Sequence, residues 1–344
     1  MAELVMADDG IAFDGRTAEA GPLGGAETAF VALAEAFAAR GHRVTALSRC
    51  RVALIHNGVG WAPLDDGVPQ SCDLYIGNRG HRVIGLAPRA GRRLFWLHNP
   101  ARYLKKPRVL WPLLRYRPTL VVTGHYHART VPAWVPRDGI EIIPYGVLDR
   151  FRHAAEREPP PPRAVFTSNP LRGLDWLLDL WEARIAPAVP GAELHIYAGS
   201  AVYRGGASGD AAQRMAAVLA RADALHARGV RRHPPAGRES LAAALAGARA
   251  MLYRGDPGET FCLALAEAQA MGVPAVVQSL GSVVERIVDR QTGRIAASDD
   301  EFAETAIALL RDDDLWRRWH RGALATQRGL GWDEVAARYE ALLG

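Results

Sequence analysis

Met251 to Glu285, MLYRGDPGETFCLALAEAQAMGVPAVVQSLGSVVE, constrains the fold more than any other part of the chain. A short apolar run reaches a turn at Asp256-Pro257-Gly258, an alanine-rich stretch follows, and Gly272-Val273-Pro274 leads into a second apolar run, Ala275-Val276-Val277. Apolar runs this short and continuous suit strands covered on both faces, so the stretch predicts a βαβ unit of a parallel sheet. Thr260 is the expected N-cap of a helix over 260–271, with Phe261, Leu263, Leu265 and Ala268 on its apolar face. Gly272 suits the C′ position and Pro274 stands where the helix can no longer continue.

Glu259 lies in the loop before that helix and Glu267 within it. Eight steps at about 100° per residue leave the second acid about 80° around from the first, so the two reach different parts of a ligand. Between them the unbonded N–H groups of the first turn, aligned with the helix dipole, offer a phosphate site. One acid could then hold a sugar and the other a ribose, with a diphosphate between.

The run Glu259-Thr260-Phe261 to Glu267, followed by Gly272-Val273-Pro274 and Gly281 to Glu285, resembles the signature of the large retaining glycosyltransferase family 4. The resemblance implies the GT-B fold, an α/β architecture of two Rossmann-like doubly wound domains facing a cleft. It implies that Glu259 positions the donor sugar and Glu267 the ribose hydroxyls, with further donor contacts from Gly258, Thr260, Phe261, Cys262 and Leu263. The family's usual glycine after the phenylalanine is Cys262 here, which bears on how closely backbone and diphosphate can approach.

The chain's 344 residues exceed the size at which a single core usually stops growing, so two domains are expected. The boundaries read as 1–150 for an acceptor-side domain, 151–162 for a proline-rich linker and 163–330 for a nucleotide-sugar domain. The resemblance implies that a helix in 331–344 returns to the first domain. No apolar run approaches the ~20 residues of a membrane span, and MAELVMADDG lacks the features of a secretion signal, so a cytoplasmic protein is the expectation. Cys50, Cys72 and Cys262 are too scattered for a zinc site or a disulfide framework. The net charge of +5 is uneven: residues 1–150 hold 19 basic and 13 acidic side chains, leaving 23 and 24 for the remainder.

In chain order, Glu3–Met6 predicts a strand, and Gly21-Pro22-Leu23-Gly24-Gly25-Ala26-Glu27-Thr28 opens a helix over 29–40. By glycine content alone Gly24-Gly25 makes a tight turn; beside the family resemblance, Gly24, Gly25 and Glu27 match a loop that faces the donor phosphates. A dinucleotide fingerprint is absent, because no Gly-x-Gly-x-x-Gly occurs there and the next strand ends in Ser48-Arg49. Short apolar runs at 52–55, 74–76, 94–97, 120–122 and 140–143 argue for a doubly wound sheet. Polar groups stand at their ends: His56-Asn57, Asn78-Arg79, His98-Asn99 and Thr123-Gly124-His125. A histidine after a strand is more often capped or solvated than catalytic, but the resemblance places His98 against the donor sugar and the acceptor.

Residues 102–118, RYLKKPRVLWPLLRYRP, carry six positive charges and no negative one among aromatic and aliphatic side chains. They read equally as a surface for an anionic membrane or a lipid-linked or phosphorylated acceptor, and as a solvated basic face. Pro107 and Pro112 argue against a long amphipathic helix. No nucleic-acid motif accompanies the stretch. In the second half, Ser168, Asn169 and Arg172 follow the strand 164–167. The resemblance directs two basic groups of this loop at the diphosphate; Arg172 can serve as one, and Ser168-Asn169 occupies the place of the other. Tyr203–Gly209 reads as a flexible glycine loop.

The resulting expectation is a retaining, metal-independent glycosyltransferase without a cofactor. It would move sugar from a nucleotide-diphosphate sugar to a glycan, lipid-linked or small-molecule acceptor, in the cytoplasm or peripherally at the inner face of a membrane. His98, Glu259 and Arg172 would be catalytic. The competing readings are a nucleotide-sugar-binding protein without turnover and a sugar-nucleotide epimerase. A phosphorylase would need a Schiff-base lysine in the second half, and the last lysine is Lys106.

Overall fold

The computed structural model describes residues 1–21, 23–199 and 209–343, which form two α/β units, 1–146 with 330–344, and 147–329. Of the expected glycine loop 203–209, residues 203–208 lie outside the described residues, as do 22, 200–202 and 344.

The first unit is built on eight strands: β1 (Glu3–Asp8), β2 (Arg43–Ser48), β3 (Leu54–His56), β4 (Val59–Pro63), β5 (Ser71–Asn78), β6 (Arg89–Trp96), β7 (Thr119–Val122) and β8 (Gly139–Ile142). Their order in the sheet is β3-β4-β2-β1-β5-β6-β7-β8, parallel except for the β3–β4 pair. The sequence pattern misses β4, although Asn57-Gly58 is a strong hairpin signal. Both residues take positive φ, 48° and 78°, as a tight hairpin turn demands. The helix Gly25–Ala39 covers the sheet with Phe30, Leu33 and Phe37 fully buried. The last helix, Trp332–Glu340, lies in this unit: Tyr339 packs edge-on against Phe37 and Trp96, and Glu340 accepts from Arg40 Nε at 2.6 Å.

Residues 107–116 form a helix despite their two prolines. Pro107 sits in the first turn, where its missing N–H is no loss, whereas Pro112 lies inside the helix and forgoes the bond to the carbonyl four residues back. Val109 and Leu113 face inward and join an apolar cluster with Phe95, Leu104, Leu120 and Val135.

The second unit carries six parallel strands, β9 (Arg163–Phe166), β10 (Glu193–Tyr197), β11 (Val230–His233), β12 (Ala250–Leu252), β13 (Ala275–Gln278) and β14 (Gly293–Ala296). The order β11-β10-β9-β12-β13-β14 reverses between β9 and β12, which makes the crevice beyond their carboxyl ends a natural ligand position. The division of the chain falls at Gly146/Val147 rather than after residue 150. The proline run expected as a spacer is held within the second unit, where buried Arg249 donates from Nη1 to the Pro160 carbonyl at 3.2 Å. A run of prolines is extended by its own stereochemistry, but extension does not keep it from packing.

Candidate functional site

Two loops flank the reversal point of the second sheet. The loop after β9 holds Ser168, Asn169 and Arg172, and is closed by an Asn169 Oδ1 that accepts from the Leu171 amide at 2.9 Å. The loop after β12 holds Gly258 to Cys262, and Asp256 folds it by accepting from the Gly258 amide at 2.7 Å. Across the gap the Arg172 guanidinium pairs with the Glu259 carboxylate, which is 7% exposed. Charge on a carboxylate so nearly buried requires such a partner.

The helix here is Leu263–Ala270, three residues shorter at its start than the pattern suggests. Cys262, not Thr260, is its N-cap, and it holds φ 62° and ψ 73°, the left-handed region. That backbone is why glycine suits this position: a side chain is strained there, and Cys262 occupies it with its thiol buried. Burial pushes that thiol up to about 12, so it stays protonated and is not a nucleophile at neutral pH.

Glu267 is 3% exposed and its ion-pair partner is not Arg172 but Arg238, which stands at the start of the helix Arg238–Ala246 and donates to its Oε1 at 2.5 Å. Burial raises the Glu267 carboxyl above its ordinary range, and the Arg238 charge opposes that rise. Phe261 lies under the Arg286 guanidinium, 4.4 Å from ring centroid to carbon. Arg238 and Arg286 escape sequence reasoning, because each is far from its partner in the chain and neither has a motif of its own.

Gly281 locks the loop after β13 onto the Glu259 loop. Its φ is 72°, and a Cβ there would stand 2.1 Å from the Asp256 carbonyl oxygen and 3.0 Å from that of Glu259. Gly281→Ala should therefore destabilise the protein by about 2–4 kcal/mol, strain and overlap together, and loosen Glu259. Chemical denaturation checks this; an unchanged midpoint would mean the loops part without cost.

The first unit has a polar chain of its own at its strand ends. His98, after β6, donates from one ring nitrogen to Asn78 Oδ1 and accepts from the Tyr145 hydroxyl on the other. Asn78 donates to Asp8 Oδ2 at 2.5 Å, Asp8 pairs with Arg79 Nε at 3.0 Å, and Arg79 Nη2 reaches Glu27 at 2.7 Å. The structure thus brings Glu27 and His98 onto one hydrogen-bonded chain. Gly24 caps the Gly25–Ala39 helix and lies against the Glu27 carboxylate. Burial, reinforced by Arg79, holds His98 well below the usual imidazole range, so the ring is neutral. A substrate hydroxyl would have to displace Asn78 or Tyr145 to reach a His98 nitrogen. Among the described residues, no three His, Cys, Asp or Glu side chains gather in a group able to hold a metal ion.

Two α/β units with these sheet orders constitute the GT-B fold. A sucrose-phosphate synthase from Thermosynechococcus elongatus superposes with TM-score 0.74 at 16% identity, over 99% of this chain and 98% of its own. Anabaena HepE in complex with UDP-glucose gives 0.72 at 13%, over 100% and 99%. The family model of Glycosyl transferases group 1 matches residues 161–312, which lie within the second unit. Over this segment the resemblance read from the motif is borne out. A D-inositol 3-phosphate glycosyltransferase of Xylanimonas cellulosilytica is 37% identical over 142 residues, 40% of this chain and 33% of that protein. A second, of Streptomyces coelicolor, is 34% identical over 129 residues, 36% and 26%. The aligned segment spans a third or less of these relatives.

Proposed function

We propose that the protein is a glycosyltransferase of the EC 2.4 type, which retains anomeric configuration and takes its sugar from a nucleotide diphosphate. The observation that carries this reading is the Arg172–Glu259 pair, set at the reversal point of a sheet that lies inside the family-matched segment. A diphosphate brings more negative charge than one carboxylate and outcompetes Glu259 for the guanidinium, in bidentate fashion. Glu259 is then released toward the sugar hydroxyls. The first-turn amides of the Leu263–Ala270 helix supply the remaining positive potential, so leaving-group charge is met without a divalent cation or cofactor. Acceptor attack occurs on the face the phosphate leaves, with that phosphate taking the proton. Glu267 takes the ribose hydroxyls. Gly258, Thr260, Phe261, Cys262 and Leu263 line the donor, and Gly24, Gly25, Glu27 and His98 are assigned to donor and acceptor contacts of the first unit. The acceptor is a glycan, lipid-linked or small hydroxyl compound, and a place at the inner face of a membrane suits the second of these.

A panel of UDP-, GDP- and ADP-sugars should contain one that raises thermal stability, since a ligand at 100 times its Kd adds about 2.7 kcal/mol. Release of free nucleotide from that donor, with or without an acceptor, separates transfer from mere binding. Stabilisation with no nucleotide released across an acceptor panel would make the protein a binder, and stabilisation by none would remove the donor site.

A further inference from the structure

The basic stretch 102–118 finds no role in the donor site, and the structure sharpens what it offers. Residues 74–137 contain 13 arginines and lysines and not one aspartate or glutamate. Outside 102–118, Arg40, Arg43, Arg79 and Arg92 of the first unit pair with acids. Among the described residues, by contrast, Arg102, Lys105, Lys106, Arg108, Arg115 and Arg117 take part in no ion pair. All six are exposed.

The helix Pro107–Tyr116 shows how the charge is displayed. Val109 and Leu113 are buried on its inner side. On its outer side stand Trp111, 73% exposed, and Leu114, 51% exposed, one turn apart and so on a shared face. Arg108 and Arg115 flank them on the helix surface, and Lys105 and Lys106 precede its first turn. Arg117, at its end, donates to the Arg137 carbonyl at 3.2 Å, which brings in the 131–137 segment with Trp134, itself 60% exposed. A soluble surface has no use for two bare tryptophans inside an unneutralised field of cations. An interface between lipid headgroups and acyl chains does: the indole sits at headgroup level and the cations meet anionic lipid.

We infer that the outer face of the Pro107–Tyr116 helix docks on an anionic bilayer surface, with Trp111 and Leu114 inserted at headgroup depth and Lys105, Lys106, Arg108 and Arg115 on lipid phosphates. This stands apart from the glycosyl-transfer reading and neither needs it nor supports it. The helix lies on the surface rather than crossing it; among the described residues no helix is long and apolar enough to span a membrane.

Co-sedimentation of the full chain with vesicles tests it. The protein should pellet with vesicles of phosphatidylcholine mixed with phosphatidylglycerol, remain in solution with phosphatidylcholine alone, and be released by high salt. Lys105→Ala with Lys106→Ala should weaken the partition roughly 30-fold, given what each cation near such a surface contributes. Trp111→Ser should weaken it at unchanged charge, and because Trp111 is exposed the unfolding temperature should not move. Failure to pellet with the mixed vesicles overturns the inference. So does pelleting that Trp111→Ser leaves intact, which would reduce the patch to a general anion binder. Tighter retention by RNA than by the mixed vesicles would assign the patch to nucleic acid instead.

Discussion

Arg172→Met should lower turnover by about 10²–10³-fold, the loss usual when one preorganised group facing developing charge is removed. It should also lower stability, because Glu259 is left as a nearly buried carboxylate without its cation. Breaking a fully buried pair costs about 3–5 kcal/mol; with a third of the Arg172 side chain in solvent, about 1–3 kcal/mol is expected. The two effects separate in the double variant Arg172→Met with Glu259→Gln. Neutralising both partners removes the orphaned charge, so the unfolding midpoint should return most of the way while turnover stays low. Initial rates and denaturation midpoints of the four proteins complete the cycle. Turnover that returned along with stability would make the pair a structural strut, and the leaving-group role would have to move elsewhere.

That pair also marks how far the sequence could be read. The βαβ unit around 251–277 was legible because a parallel strand is short, apolar on both faces and punctuated by Gly and Pro, and all three signs occur within thirty residues. Gly272 at φ 70°, just beyond the helix, follows from the same local rule. The N-cap did not follow. Thr260 has the better capping side chain, but the loop needs a left-handed residue at 262 to turn Glu259 toward Arg172, and backbone geometry overrode side-chain preference. The Pro107–Tyr116 helix was obscured by its prolines, since composition does not say which proline stands in the first turn. Arg172 and Glu259, 87 positions apart, meet only because the sheet reverses its order between β9 and β12. No spacing rule reaches that far; a family signature does, and so these two residues could be picked out while Arg238, Arg286 and the Asn78–Asp8–Arg79 chain could not be assigned a partner.

The partner that escaped notice carries the second large effect. Burial raises the Glu267 carboxyl above its unfolded value and Arg238 pulls it back in part. A carboxyl raised in the folded state binds its proton more tightly there than in the unfolded chain. Its contribution to stability is therefore fully present below the unfolded value and is lost as pH rises through the folded one. Ribose binding runs the other way, because only the ionised group accepts from both hydroxyls, so donor affinity should rise with pH across the same window. Arg238→Gln removes the opposing charge, moves the folded value further up, and shifts the acidic limb of donor affinity to higher pH. At neutral pH the donor should bind about 10–100-fold more weakly, the worth of a hydrogen bond to a charged group. The loss should fall on KM rather than kcat, since the ribose is held alike in ground and transition states. Arg238→Lys, which restores charge without the planar fork, should recover part of the affinity and most of the limb's position. Glu267→Ala should bind weakly at every pH, with no limb at all. If the limb stays in place in Arg238→Gln, the arginine does not tune Glu267, and if it persists in Glu267→Ala, another group controls donor binding.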